Sequence, residues 1–165
     1  MRTFEICSGD TPCCSVSDNF GPIDAISPGN FVFYDLMQNQ IGSCAPANIA
    51  VAMSCPVVDK YPERRELIIH GGAIHFSKES MTENGITHYG TVAHKVDKHW
   101  EPLGNDSHLI KLSQEHGIIR CSNHVFKNYN IGDTITLLPV HSCLTANLMK
   151  QYRLTDRNGT VKMMK

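Results

Sequence analysis

The strongest constraint on the fold is a succession of short β-type runs, each ended by glycine, proline or a polar turn, with few helical signals between them. Glu66-Leu67-Ile68-Ile69-His70 is a strand pattern halted by Gly71-Gly72. Ile118-Ile119-Arg120-Cys121 is another, and Thr134 to Val140 is a third, fed by the turn Ile131-Gly132-Asp133. Thr91 to Val96 and His108 to Leu112 continue the series. Phe31-Val32-Phe33-Tyr34 reads as a strand after the turn Ser27-Pro28-Gly29-Asn30. Tyr152 to Met163 reads as a hairpin turning at Asp156-Arg157-Asn158-Gly159. Ile49 to Val58 is apolar and partly β-branched, although Pro56 argues against a central ladder position. Ala45 to Met53 fits a short helix as well as a strand. Strands without long intervening helices predict a mostly β fold, a small antiparallel barrel or sandwich with few short helices. The start differs: Thr3-Phe4-Glu5-Ile6 is strand-like and runs into Ser8-Gly9-Asp10-Thr11-Pro12. Such a loop with free N–H groups suits either a phosphate or an ordinary polar connection.

Length and composition bound the function. A chain of 165 residues fits one domain, or one domain plus part of another, and buries roughly two-thirds of its unfolded surface. With 41% hydrophobic and 19% charged residues it is not a disordered chain. Fifteen basic against sixteen acidic residues leave a net charge of -1, which offers nothing to a nucleic acid or an anionic membrane. No apolar run approaches the ~20 residues of a membrane span. Met1 to Asp10 carry no basic-then-apolar leader pattern. The seven cysteines are an odd number, and together these features predict free thiols in the cytoplasm. There is no Cys-x-x-Cys pair, and the adjacent Cys13 and Cys14 chelate one metal poorly.

Three clusters carry possible chemistry. His141-Ser142-Cys143 follows the apolar run Ile135 to Val140, and on a continuing strand residues two apart share a face. Imidazole and thiolate suit zinc, and two protein ligands leave positions open for water or substrate; a buried thiol beside an unrelated imidazole is the alternative. Glu115-His116-Gly117 is either an acid/base pair, an outer partner fixing a ligand's tautomer, or a hairpin turn with Gly117 at positive φ. His70 and His75 flank a glycine pair that admits close backbone approach. His88, His94, His99 and His108 lie among polar residues and read as surface positions.

Taken together, four stretches resemble the C-terminal region of the D-serine dehydratase and D-threonine aldolase family, metal-assisted pyridoxal-phosphate enzymes of the alanine-racemase-like fold. Ser8 to Pro12 is similar to the family's glycine/threonine loop, and Ser27 to Asp35 to its Pro-Gly-x-Tyr-x-Phe-x-Asp stretch. Ser113 to Gly117 resembles its Ser-x-Glu-His-Gly turn, and Leu138 to Leu148 its Pro-x-His-x-Cys-x-Thr-x-Asn-Leu segment. The family's Asp-Ala-Gly before Ser-Lys reads here as His70-Gly71-Gly72, with Ser77-Lys78 later.

The resemblance implies residues 1–26 as the terminal strand and phosphate loop of a pyridoxal-phosphate α/β barrel, and residues 27–165 as the C-terminal β-domain. It implies zinc held by His141 and Cys143, with Glu115 and His116 as outer partners. Ser8, Gly9, Asp10 and Thr11 are the implied cofactor-phosphate contacts. It further implies a small D-amino acid substrate, a homodimer, and a Schiff-base lysine on an N-terminal barrel, since no lysine of this chain matches that motif. The cysteine ligand favours the dehydratase side of the family over the aldolase side. The competing classes are a metal- or partner-binding β-domain without catalysis, and a small metal hydrolase, which needs a third ligand.

Overall fold

The computed structural model describes residues 4–163. The chain opens with strand β1 (Cys7–Ser8), helix α1 (Thr11–Val16) and strand β2 (Ala25–Ile26), which pairs in parallel with β1. Helix α2 (Leu36–Gln40) and a 3-10 turn (Pro46–Asn48) lead into β3 (Met53–Tyr61), β4 (Glu66–His70) and helix α3 (Ala73–Phe76). The hairpin β5 (Met81–Glu83) and β6 (Ile86–His88) precedes β7 (Gly90–Val96), β8 (His99–Pro102), β9 (His108–Leu112) and β10 (His116–Arg120). Helix α4 (Asn123–Asn128), β11 (Thr134–Pro139), helix α5 (Ser142–Met149) and the hairpin β12 (Gln151–Arg153) and β13 (Thr160–Lys162) complete it.

Six antiparallel strands close a barrel in the order β11, β3, β4, β10, β9, β7 and back to β11. The closing strand is β11: Thr136 pairs with Ser54 of β3 on one side and with Ala93 of β7 on the other. Strand alternation fills the interior, as period-two geometry requires. Along β3, Met53, Cys55 and Val57 are buried while Ser54, Pro56 and Val58 face outward. Leu67, Ile69, Val92, Leu109, Ile119, Ile135 and Leu137 join them at zero exposure, each contributing roughly 1.5–3 kcal/mol of burial. Phe76 of α3 and Val125 of α4 pack onto the same core. A second apolar cluster, Leu36, Ile49, Met81, Ala93, Leu138 and Val140, joins α2 to the end of β11.

Pro56 lies within β3 after all. It occupies the last position of the β11 pairing, and the β4 pairing begins at Val57, so its missing N–H falls where the strand passes from one partner to the other. The glycine pair after β4 is a packing device: a side chain on Gly72 strikes the backbone of Gln114 and Glu115. Gly117 lies in β10 instead of a positive-φ turn, and a Cβ there meets Gly71 O and Leu109 Cδ1 at 2.6 Å.

Other sequence readings change. Phe31 to Tyr34 form a turn, not a strand; Tyr34 has φ 47° and Val32 is 72% exposed. Of the Thr3–Ile6 strand reading, Thr3 lies outside the described residues and Phe4 to Ile6 are not in a strand. The stretch from Ser8 to Pro12 also runs into a helix, which Asp10 caps, Thr11 begins and Pro12 continues in its first turn. That helix is tied to the rest of the chain: Ser15 Oγ is 3.0 Å from the Tyr34 hydroxyl, and Thr11 Oγ1 accepts from Asn30 N at 3.0 Å.

Candidate metal-binding corner

The candidate site sits where β11 gives way to α5. Strand β11 ends at Pro139, and His141 is the cap of α5 with extended backbone angles, φ -130° and ψ 101°. His141 and Cys143 are therefore neighbours at the start of a helix and not alternate residues of a strand. His141 Nδ1 accepts from the N–H of Leu144 at 3.4 Å. Cys143 Sγ donates to Asn30 Oδ1 at 3.3 Å and faces the carbonyl of Gly29 at 3.6 Å. Burial, and then the nearby Asp35 carboxylate, push the Cys143 thiol above its ordinary value.

Behind these donors lies a buried polar pair, Asn30 and Asp35. Asp35 is 1% exposed and caps α2 by accepting from Gln38 N at 2.9 Å. Its other oxygen accepts from Ser142 N at 3.0 Å and from Asn30 Nδ2 at 2.5 Å, and lies 3.9 Å from His141 Nδ1. A buried carboxylate is tolerated when several N–H groups satisfy it. Thr145 Oγ1 lies 3.1 Å from His141 O and 3.2 Å from Phe76 O, tying the first turn of α5 to α3. Asn30 and Asp35 are the site residues that sequence reading missed. Their signal was a cap pattern, Asp35 followed three residues later by Gln38.

The donor chemistry fits zinc: a half-buried imidazole and a half-buried thiol open one helix turn. Among the described residues no third His, Cys, Asp or Glu completes a metal-holding group with them. Two donors leave the other positions of a tetrahedral ion open.

The predicted cofactor loop fits less well. Asp10 Oδ2 accepts from Cys13 N at 2.8 Å, so a carboxylate occupies the helix start where a phosphate needs free N–H groups. Hydrogen bonding from the Cys13 side chain and then its backbone holds Asp10 below its ordinary value. The Thr11 hydroxyl is buried against Asn30 N, and Ser8 O accepts from Ser27 N at 2.7 Å. Gly9 stands 3.7 Å from Ser27, measured from the Cβ position it lacks. These contacts engage the Asp10 and Thr11 side chains and the Ser8 carbonyl.

Glu115 and His116 are exposed, and among the described residues no hydrogen bond, ion pair or ring contact joins them to His141 or Cys143. His116 pairs across the sheet with His70, their rings 5.7 Å apart, and His70 meets His75 at 5.1 Å. The His75 Nδ1 accepts from Gly72 N at 3.1 Å. Burial, followed by His70, lowers the His75 pKa. His94 is exposed and His99 half-buried, but His88 and His108, read as surface positions, are buried. Their rings stack at 4.4 Å because β6 packs against β9.

The comparisons agree with this architecture. Residues 50–155 match the family model of the putative serine dehydratase domain. A D-serine dehydratase of Dictyostelium discoideum is 33% identical over 93% of this chain, which spans 40% of that protein. An alanine-racemase-like protein of Idiomarina loihiensis superposes with a TM-score of 0.81 at 26% identity, over 96% of this chain and 43% of that one. The D-threo-3-hydroxyaspartate dehydratase of Delftia sp. superposes at 0.80 with 21% identity, over 97% of this chain and 44% of that one. That enzyme has also been solved with a histidine replaced by alanine, and with a cysteine two positions later replaced by alanine in a metal-free form. The six-stranded barrel is thus the C-terminal domain of alanine-racemase-like enzymes, and by its family match this chain belongs to the putative serine dehydratase domain family.

Proposed function

We propose that this chain carries the metal-holding corner of a dehydratase-type lyase acting on small D-β-hydroxy amino acids, with His141 and Cys143 as the protein ligands of zinc. The observation that carries the reading is their joint presentation on one turn of α5, over the buried Asn30–Asp35 pair. The histidine and cysteine substitutions in the Delftia enzyme have the same spacing, and one of those variants is metal-free. Dehydratase names among the relatives favour that reaction class over aldol cleavage.

Zinc, when bound, supplies the Lewis acidity that makes hydroxide a better leaving group. His141 and Cys143 contribute donors that favour zinc over harder cations. Asp35 holds the backbone between them by accepting from Ser142 N. Pyridoxal phosphate belongs to the complete enzyme in this reading, with its lysine on a separate barrel and the sites near a homodimer boundary. Because Asp10 fills the helix start at Ser8 to Thr11, no step is assigned to those residues.

Elemental analysis after dialysis against zinc tests the site. The chain should retain zinc, and Cys143→Ala should lose it; full stoichiometry in that variant moves the site elsewhere. Pyruvate release from D-serine and glycine release from D-threonine should both be absent with this chain alone, even with pyridoxal phosphate and zinc added. Turnover by the chain alone overturns the assignment of the lysine to another domain.

A further inference from the structure

We infer that Asp35 and Asn30 act as one positioning unit for the metal corner, Asp35 selecting the metal-binding tautomer of His141 and Asn30 holding the Asp35 oxygen that faces that imidazole. This rests on the proposed zinc site and adds the groups that set its geometry.

The argument starts from hydrogen-bond accounting. In the described conformation His141 Nδ1 is an acceptor, taking the Leu144 N–H at a long 3.4 Å. A neutral imidazole that accepts at Nδ1 carries its proton on Nε2, and that nitrogen then has no lone pair for a metal. The opposite tautomer carries the proton on Nδ1 and frees Nε2. It needs an acceptor beside Nδ1, and the Asp35 Oδ2 carboxylate oxygen stands 3.9 Å away. Hydrogen-bond length is roughly 1 Å shorter, a small adjustment for a side chain that is 31% exposed. A carboxylate that receives the second N–H of a metal-bound imidazole fixes its ring and raises its basicity.

Asp35 is itself fixed. It is almost fully buried, caps α2, and accepts from Ser142 N, the residue between the two ligands. Asn30 supplies the other half. Its Nδ2 donates to the Asp35 oxygen that faces His141, and its Oδ1 receives the Cys143 thiol at 3.3 Å. The bond to Sγ belongs to the metal-free thiol and is given up when the thiolate forms, whereas the bond to Asp35 remains. The lasting role of Asn30 is therefore to hold the Asp35 oxygen toward the imidazole. Asn30 N also donates to the buried Thr11 hydroxyl, which anchors the unit to α1.

Zinc affinity of the full chain, measured by competition with a chromophoric chelator, tests this. Asp35→Asn keeps an oxygen for the Ser142 and Asn30 N–H groups, gives up the bond from Gln38 N, and replaces the carboxylate with a weaker acceptor. It should weaken zinc about 10–100-fold with an unchanged far-ultraviolet circular dichroism spectrum. The same substitution in a His141→Ala background should cost no further affinity, because its effect passes through the imidazole. Asn30→Ala, which leaves the Asp35 cap of α2 in place, should weaken zinc and cobalt binding in the wild-type background and cost no further affinity in the His141→Ala background. Wild-type affinity in Asp35→Asn overturns the proposal, as does an equal loss in the His141→Ala background, which marks a merely structural role. If Asp35→Asn does not fold, wild-type metal affinity in Asn30→Ala overturns it. A wild-type chain that takes up neither metal overturns the zinc site and this inference with it.

Discussion

Inside the barrel, Leu67, Ile69, Leu109, Ile119, Ile135 and Leu137 reach zero exposure and meet one another through apolar contact alone. At the start of α5, Asn30, Asp35 and Ser142 are buried nearly as well but are held by directed hydrogen bonds. The first region is specified by volume and alternation, and it tolerates change so long as both are kept. The second is specified by donor and acceptor geometry, where one misplaced atom leaves a buried group unsatisfied. Stability and chemistry therefore respond to different substitutions in this fold.

The largest effect should come from the barrel. Leu137→Ala removes a wholly buried side chain on the closing strand and should cost about 2–5 kcal/mol in urea unfolding. If the two regions are as separate as their construction suggests, zinc affinity of the folded fraction should not change. A parallel loss of affinity would show that barrel packing sets the corner.

The next effect depends on pH and belongs to a buried polar group outside the corner. His88 has zero exposure, and both its ring nitrogens lack hydrogen-bond partners among the described residues. Burial, and then His108, lower its pKa from 6.5 to about 4, with the nearby Gly90 backbone acting weakly the other way. The Glu83 carboxylate lies 3.9 Å from Nε2, too far for a hydrogen bond. With the folded value depressed, the unfolded chain binds the extra proton between pH 6.5 and about 4. Stability should thus be fully present above pH 6.5 and fall as pH drops through that window, by on the order of 2–3 kcal/mol. Urea midpoints at successive pH values measure it, and His88→Phe should flatten the slope. An equal slope in that variant assigns the effect to other groups.

A smaller change is expected at the cap of α4. Ser122 Oγ accepts from Val125 N at 3.1 Å, and the helix lays Val125 against the barrel core. Ser122→Ala should cost about 1 kcal/mol in thermal or urea unfolding and leave zinc affinity untouched. A cost of several kcal/mol would mean that α4 supports the barrel through more than its cap.

The contrast also explains what the sequence disclosed. Strands such as Glu66–His70 and Thr134–Pro139 were legible because interior positions recur with period two and glycine or a turn bounds them. The corner was less legible because it is made of caps. His141 and Cys143 were visible as donors, yet their placement on a continuing strand was wrong: β11 ends at Pro139 and His141 caps a helix. Asp10 before Thr11-Pro12 and Asp35 before Leu36 carry the same kind of start signal. Phe31 to Tyr34 looked like a strand because apolar residues crowd there, but two of them are exposed and the backbone turns back toward Asn30. His88 looked polar and exposed because its burial depends on β9, distant in sequence.

The smallest expected effect decides where the corner ends. Glu115 and His116 resemble a motif that implies an outer partner for the metal ligands, but the fold places His116 opposite His70 on the neighbouring strand. Both side chains are exposed, and the Glu115 backbone serves as the surface against which Gly72 packs. What matters structurally here is the backbone, since Ser113 N donates to His116 O at 2.8 Å and the Ser113 hydroxyl receives His116 N at 3.2 Å. Side-chain changes at exposed positions with the backbone kept are nearly silent. Glu115→Gln and His116→Ala should each shift the melting midpoint by less than about 2 °C. Both should also leave the zinc affinity of the isolated chain unchanged, in contrast to Asp35→Asn. A loss of affinity comparable to that of Asp35→Asn would extend the corner to the His70–His116 edge and require the turn at Gln114 to reach the ligands when metal binds.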